Sequence, residues 1–295
     1  MKYIKAFNTQ YDKSDFKKNS EKYITPNIYY IRNIGIVESE PYDPSLTFIA
    51  LEDGSTISLN ANGSAPSISL QYSLTNGESW ISYTIGNTIT IDNAGNKVKF
   101  RAVSTNAKIS SSTSNYYNFV MSSGKFEVCG DITSLLNVNG GNISLPTYNF
   151  FKLFMSCANL IRADQLKLPS TTLGTYCYRS LFEGCTNLET IPSLSAVTLN
   201  TGCYYRMFRD CESITSSPIL FSPALVSNCY YHMFYGCSNL SKITCLAINI
   251  SASGALTGWT TNVSSTGTFY KRAANTSWPT GTAGIPTGWT VVDFD

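Results

Sequence analysis

Cys177–Leu188 reads CYRSLFEGCTNL, Cys203–Ile214 reads CYYRMFRDCESI and Cys229–Leu240 reads CYYHMFYGCSNL. A partial fourth copy, Tyr148–Leu160 (YNFFKLFMSCANL), precedes them. Phe154, Phe182, Phe208 and Phe234 form one column at intervals of 28, 26 and 26 residues, and Cys157, Cys185, Cys211 and Cys237 form a second at the same intervals. Cys177, Cys203 and Cys229 form a third, at 26 and 26. A unit of this length cannot bury its apolar face alone, so a fixed period means that neighbours cover one another in a solenoid. Residues 131–250 are assigned to it. The repeat decays after Leu240, and residues 251–295, with Trp259, Trp278, Trp289 and the turn formers Pro279, Gly281, Gly284 and Pro286, read as a C-terminal capping segment.

Upstream, the apolar period changes to two. Ile57 and Leu59, then Ile68, Leu70, Tyr72 and Leu74, then Ile89 and Ile91, then Val98, Phe100 and Ala102 alternate with polar neighbours. Asn76-Gly77 is a hairpin signal, and Asn93–Asn96 marks a second turn. Short strands at this spacing predict an antiparallel β-sandwich over residues 45–130, with Trp80 in its core and Asn137–Asn142 as the seam before the solenoid. Residues 1–44 read as an N-terminal arm: residues 1–24 carry six lysines against Asp12, Asp15 and Glu21. The β-prone segment Ile24, Pro26, Ile28, Tyr29, Tyr30 and Ile31 could pair with another sheet edge.

Composition narrows the function classes. Charged residues make up 14% of the chain and net charge is +2, which gives no electrostatic match to nucleic acid or an acidic membrane. No apolar run approaches the roughly 20 residues that span a bilayer, and no secretory signal pattern opens the sequence, so folding in a cytosol with reduced thiols is expected. If the repeat is helical, Cys177 and Cys185 lie about 12 Å apart along it, beyond disulfide reach. No Cys-x-x-Cys pair offers a zinc site, so no metal or cofactor is expected and the thiols read as small buried apolar groups. The only histidine, His232, shares the column of Ser180 and Arg206 and is expected to face solvent. No nucleophile elbow, phosphate loop or paired acids are present, and the reading is a non-enzyme. Tyr178, Tyr204 and Tyr230, with Tyr205 and Tyr231 beside them, stack by register into a stripe. Such a stripe could be a binding surface, or its rings could pack over the adjacent repeat.

The pattern Phe-x-x-Cys-x-Asn-Leu at Phe182–Leu188 and Phe234–Leu240, followed in one unit by Ile191-Pro192, resembles the BspA-like leucine-rich repeats of bacterial surface proteins. That resemblance implies a short helical turn and a short strand per repeat, and a fold that is mainly β with short helical turns: an antiparallel Ig-like β-sandwich followed by a capped leucine-rich-repeat solenoid. Repeats of this kind in gut Bacteroidetes and their phages often follow an Ig-like module and end in a segment similar to GIPTGWTV at 284–291, and the opening Ile24-Thr-Pro-Asn is similar to the starts of virion proteins from phages of those bacteria, including the crAss-like group. The likeness implies a bacteriophage structural protein, a head or tail fibre folded in the host bacterial cytoplasm and displayed on the virion surface. It implies a homotrimer that binds capsid or tail proteins through the arm and a host surface glycan or protein through the solenoid. A bacterial cell-surface adhesin of the same repeat type is the alternative.

Overall fold

The computed structural model describes residues 29–32, 35–38 and 43–294. It falls into two units, residues 1–43 and 44–295. In the first, β1 (Tyr29–Arg32) and β2 (Gly35–Glu38) form an antiparallel hairpin with Tyr29 opposite Glu38. Tyr29, Tyr30 and Ile31 thus lie on β1, while Ile24, Pro26 and Ile28 fall outside the described residues.

The second unit opens with the antiparallel sandwich. Its strands are β3 (Leu46–Ala50), β4 (Ser55–Asn62), β5 (Leu70–Ser73), β6 (Ile81–Tyr83), β7 (Ile89–Ile91), β8 (Lys97–Ala102), β9 (Tyr116–Ser123) and β10 (Phe126–Asp131). One sheet runs β6-β5-β8-β3-β10, the other β7-β4-β9. The alternating apolar residues within the strands turn inward as their period requires, and Phe48, Phe100 and Phe119 meet at centroid distances of 4.6 to 6.0 Å; Leu74, which lies beyond the end of β5, is exposed instead. Asn76 and Gly77 both adopt positive φ (55° and 96°), the geometry that a primed turn demands. In an immunoglobulin constant-type order the first two strands share a sheet; here β3 and β4 lie in different sheets. Trp80 is not core. It is half-buried, with the Arg101 guanidinium carbon 3.7 Å from the centre of its ring, because the strand that follows turns Tyr83 inward and so leaves Ser82, and Trp80 two residues before it, on the outer face.

β10 joins sandwich to solenoid. It pairs antiparallel with β3 on one side and parallel with β11 (Leu160–Arg162) and β12 (Leu166–Lys167) on the other. The expected seam is a tied loop: buried Asp131 accepts from the N–H and hydroxyl of Thr133 (2.8 and 2.6 Å) and from the Gly141 N–H (2.8 Å). Further along, β13 (Ser216–Leu220), β14 (Lys242–Cys245), β15 (Thr268–Lys271) and β16 (Thr290–Asp293) form a parallel sheet. The molecule is mainly β, with a β-solenoid in its second half.

The helical turn expected in each repeat is absent. A 3-10 helix at Ile132–Leu135 is the one helix among the described residues. Each repeat instead contributes a ribbon of overlapping β-turns at 148–156, 176–184, 202–210, 228–236 and 254–262, with left-handed residues at its first, fifth and ninth positions, for example Tyr176, Ser180 and Gly184. Alternate N–H groups close local turns, as Leu153 N–H does to the Phe150 carbonyl, with left-handed Lys152 at the third position as a type II turn needs. The other N–H groups reach the next layer: Tyr178 donates to Cys203, Ser180 to Tyr205 and Phe182 to Met207, at 2.8 to 3.0 Å. The same ladder joins 228–236 to the carbonyls of 253–261, so the segment expected only to cap the stack supplies a further turn layer as well as β15 and β16.

Burial follows a period of four, two residues in and two out. The inward pairs build an aromatic spine: Phe119, Phe154, Phe182, Phe208 and Phe234 stack in turn at 5.2 to 5.9 Å, and Trp259 closes the row at 6.1 Å from Phe234. Beside it, the Sγ–H groups of Cys157, Cys185, Cys211 and Cys237 donate to the carbonyls of Phe119, Phe154, Phe182 and Phe208, at 3.0 to 3.2 Å. The nine cysteines are free thiols. The helical premise behind the disulfide argument fails, and these thiols serve as ladder donors inside the core.

Candidate binding face of the turn ladder

The four-residue period divides the tyrosine stripe in two. Tyr178, Tyr204 and Tyr230 occupy inward positions, are 1 to 2% exposed, and stack at 5.9 and 6.2 Å. They are core residues, which corrects their place in the candidate surface. Burial raises their phenol pKa well above the usual 10.0. Tyr205 and Tyr231, one residue further on, point outward and stack at 4.5 Å with planes 4° apart.

The structure assembles more around that pair than the stripe contained. Arg179, one layer up, places its guanidinium 4.5 Å from the Tyr205 ring centre, 5.4 Å from Tyr176 and 5.6 Å from Phe151. Phe151, Arg179, Tyr205 and Tyr231 thus form a column along the stack. Arg206 lies 5.1 Å from Tyr205, and Lys152 Nζ sits 5.1 Å from both Tyr116 and Phe151. Tyr148 stacks on Tyr176 at 5.2 Å. On the adjoining column Arg209 pairs with Glu183 (3.7 Å) and Asp210 (3.2 Å) and covers Tyr235 at 4.9 Å. Contacts of guanidinium with ring at these distances contribute roughly 0.5–2 kcal/mol each and fix the cation's plane.

His232 is not simply solvated. Its ring is tilted against Tyr231 (4.2 Å) and Tyr235 (5.1 Å), and its Nδ1 is sealed without a hydrogen-bond partner. Burial, then the neighbouring Arg206 and Arg209, lower its pKa below 6.5, so it is neutral at pH 7. Left-handed columns alternate bulk with glycine: Tyr176 lies against Gly202, Asp210 against Gly236, Asn228 against Gly254 and His232 against Gly258, where a Cβ would collide with each. Four glycines therefore let the side chains above them lie flat.

Away from the tyrosine pair, a concavity of about 470 Å³ opens among Asp164, Thr190, Pro192, Ser193, Ser216 and Pro218. Proline at 192 removes an N–H, which leaves Thr190 as an isolated bridge to Arg162 where a continuous strand would otherwise run. The Asp164 carboxyl is held below its usual pKa by hydrogen bonds from Thr190 and Gln165 (2.6 and 2.9 Å). No group of three or more His, Cys, Asp or Glu converges on a metal-sized site among the described residues.

Arg179, Arg206, Arg209, Phe151 and Lys152 were not singled out from sequence. The signal was present: in C-Y-x-x-[LM]-F-x-x-C the apolar pairs recur every four residues, so both x-x pairs share the side away from the core, although Phe151 and Ser180 are themselves covered there. Comparisons with protein-family models, curated proteins and solved structures returned no match.

Proposed function

We propose that this chain is an adhesive structural protein of a bacteriophage particle, a head or tail fibre. The arm at residues 1–44 docks on capsid or tail proteins, the sandwich serves as an Ig-like spacer with rearranged strand order, and the solenoid, a variant of the BspA-like leucine-rich repeat, contacts the host surface. The virion assignment rests on the sequence resemblance. Adhesion without bond chemistry rests on one observation, the outward column Arg179–Tyr205–Tyr231, backed by buried Phe151, whose rings and guanidinium hold one another in place. A pre-ordered face of this kind loses little side-chain entropy on contact. The fibre is a homotrimer in this reading. The test is whether the full-length chain co-purifies with intact particles and whether deleting residues 1–40 releases it. Retention that depends on those residues supports the proposal, and absence from particles overturns it.

A further inference from the structure

We infer that the outward turn face binds an acidic polysaccharide, with anionic groups read by Arg179 and Arg206; this rests on the adhesive reading above and narrows its ligand class. Among the described residues, Arg162 and Arg209 have carboxylate partners (3.0 Å to Glu127, 3.7 Å to Glu183). Among the same residues the guanidinium groups of Arg179 and Arg206 make neither an ion pair nor a hydrogen bond, and the Nε of each is sealed from solvent without an acceptor. Lys152 adds a third cation without a carboxylate partner among the described residues, on the same face. Three unneutralised cations therefore sit together on a chain whose net charge is only +2. A guanidinium held against aromatic rings presents its planar fork, the geometry that grips carboxylate or sulfate in two parallel hydrogen bonds.

The rings decide between ligand classes. Tyr205 has Arg179 on one face and Tyr231 on the other, and Tyr231 has Tyr205 and His232. With their faces occupied, these rings cannot serve as platforms for a neutral sugar or a nucleobase; nucleic-acid platforms need exposed ring faces. What they offer are edges and phenol hydroxyls, which burial keeps protonated in the case of Tyr205. A surface of O–H and guanidinium donors selects a ligand rich in acceptors and negative charge.

The experiment is titration of the full-length chain with sodium polygalacturonate, dextran sulfate, neutral dextran and single-stranded DNA. Binding to one or both acidic polysaccharides but not to dextran is expected, and the two acidic probes separate carboxylate from sulfate recognition. Arg179→Gln and Arg206→Gln should each weaken that binding roughly tenfold or more, whereas Arg272→Gln, at an exposed position off this face, should not. Arg179→Lys, which keeps the charge and loses the fork, guards against misfolding and should also lose affinity at unchanged thermal stability. Equal binding of dextran, preference for DNA, unchanged affinity in the Gln variants, or an equal loss in Arg272→Gln would overturn the inference. Particle association is read separately, so either proposal can fail alone.

Discussion

Raising the pH should unfold this protein abruptly, within about one unit above pH 9. Eight of the nine thiols, at Cys157, Cys177, Cys185, Cys203, Cys211, Cys229, Cys237 and Cys245, are buried. Desolvation raises every one of them above the ordinary 9.0, Cys229 to about 11 and Cys157 and Cys245 to about 12. The folded state therefore holds protons that the unfolded state releases. The stability these thiols confer is fully present below pH 9.0 and is lost as pH climbs towards the folded values. At pH 10 ionisation favours each unfolded thiol by about 1.4 kcal/mol, and eight together by about 11 kcal/mol, against a typical domain stability of about 5–15 kcal/mol. Tyr178, Tyr204 and Tyr230 act in the same direction above pH 10.0. Urea titrations followed by tryptophan fluorescence at successive pH values give the slope of stability against pH, which should approach eight protons. Cys211→Ala should reduce that slope by one. Thiolate absorbance amounting to more than the one thiol outside the buried set, Cys129, that rises between pH 9 and 10 while circular dichroism stays native would refute the reasoning, because it would mean that the buried thiols are accessible.

Three smaller expectations follow from the same geometry. Gly202→Ala should cost more than Gly184→Ala in urea denaturation: both positions have positive φ (58° and 77°), worth about 1–2 kcal/mol for an L-residue, but only at Gly202 would the Cβ enter the Tyr176 ring. Phe208→Ala should lower stability by about 3–5 kcal/mol in the same assay, since it empties a place between Phe182 (5.6 Å) and Phe234 (5.9 Å). His232 is held below 6.5 by burial, Arg206 and Arg209, so its contribution is present above pH 6.5 and declines as pH falls further; His232→Asn should flatten that part of the stability profile.

What the sequence made legible, and what it did not, has a common physical cause. The solenoid was visible because residues at a fixed register meet the same environment in each layer, and Phe154, Phe182, Phe208 and Phe234 do stack. The sandwich was visible because a half-buried strand alternates, as Ile89 and Ile91 do around Thr90. The exchange that puts β3 beside β8 left no trace, since pairing partners are not encoded in alternation. Trp80 shows that aromatic size alone does not encode burial: its ring lies under Arg101 on the outer face. Side assignment of the tyrosines failed for a different reason. The spacing Phe182 to Cys185 fits a helix as well as a turn ribbon, and on a helix neighbouring residues such as Tyr204 and Tyr205 can both edge a surface. Only a strict period of four, with small or polar residues such as Ser180, Gly184, Asp210 and Gly236 at every fourth place, separates inner from outer tyrosine.

That choice of turn over helix is what makes the outward face possible. Packed helices keep their axes about 8–10 Å apart, whereas backbones joined by interlayer hydrogen bonds lie about 4.7–4.9 Å apart. Rings borne on adjacent helical repeats would be too distant to stack in register. Here Tyr205 and Tyr231 are 4.5 Å apart, and the Arg179 guanidinium is 4.5 Å from Tyr205, close to the spacing of the ladder that carries them. The N–H of Ser180 to the carbonyl of Tyr205 (2.8 Å) and the N–H of Arg206 to the carbonyl of Tyr231 (2.9 Å) set that spacing directly beneath the column. A substitution that breaks the ladder at this level should therefore release the rings and guanidiniums together, even where it touches none of them.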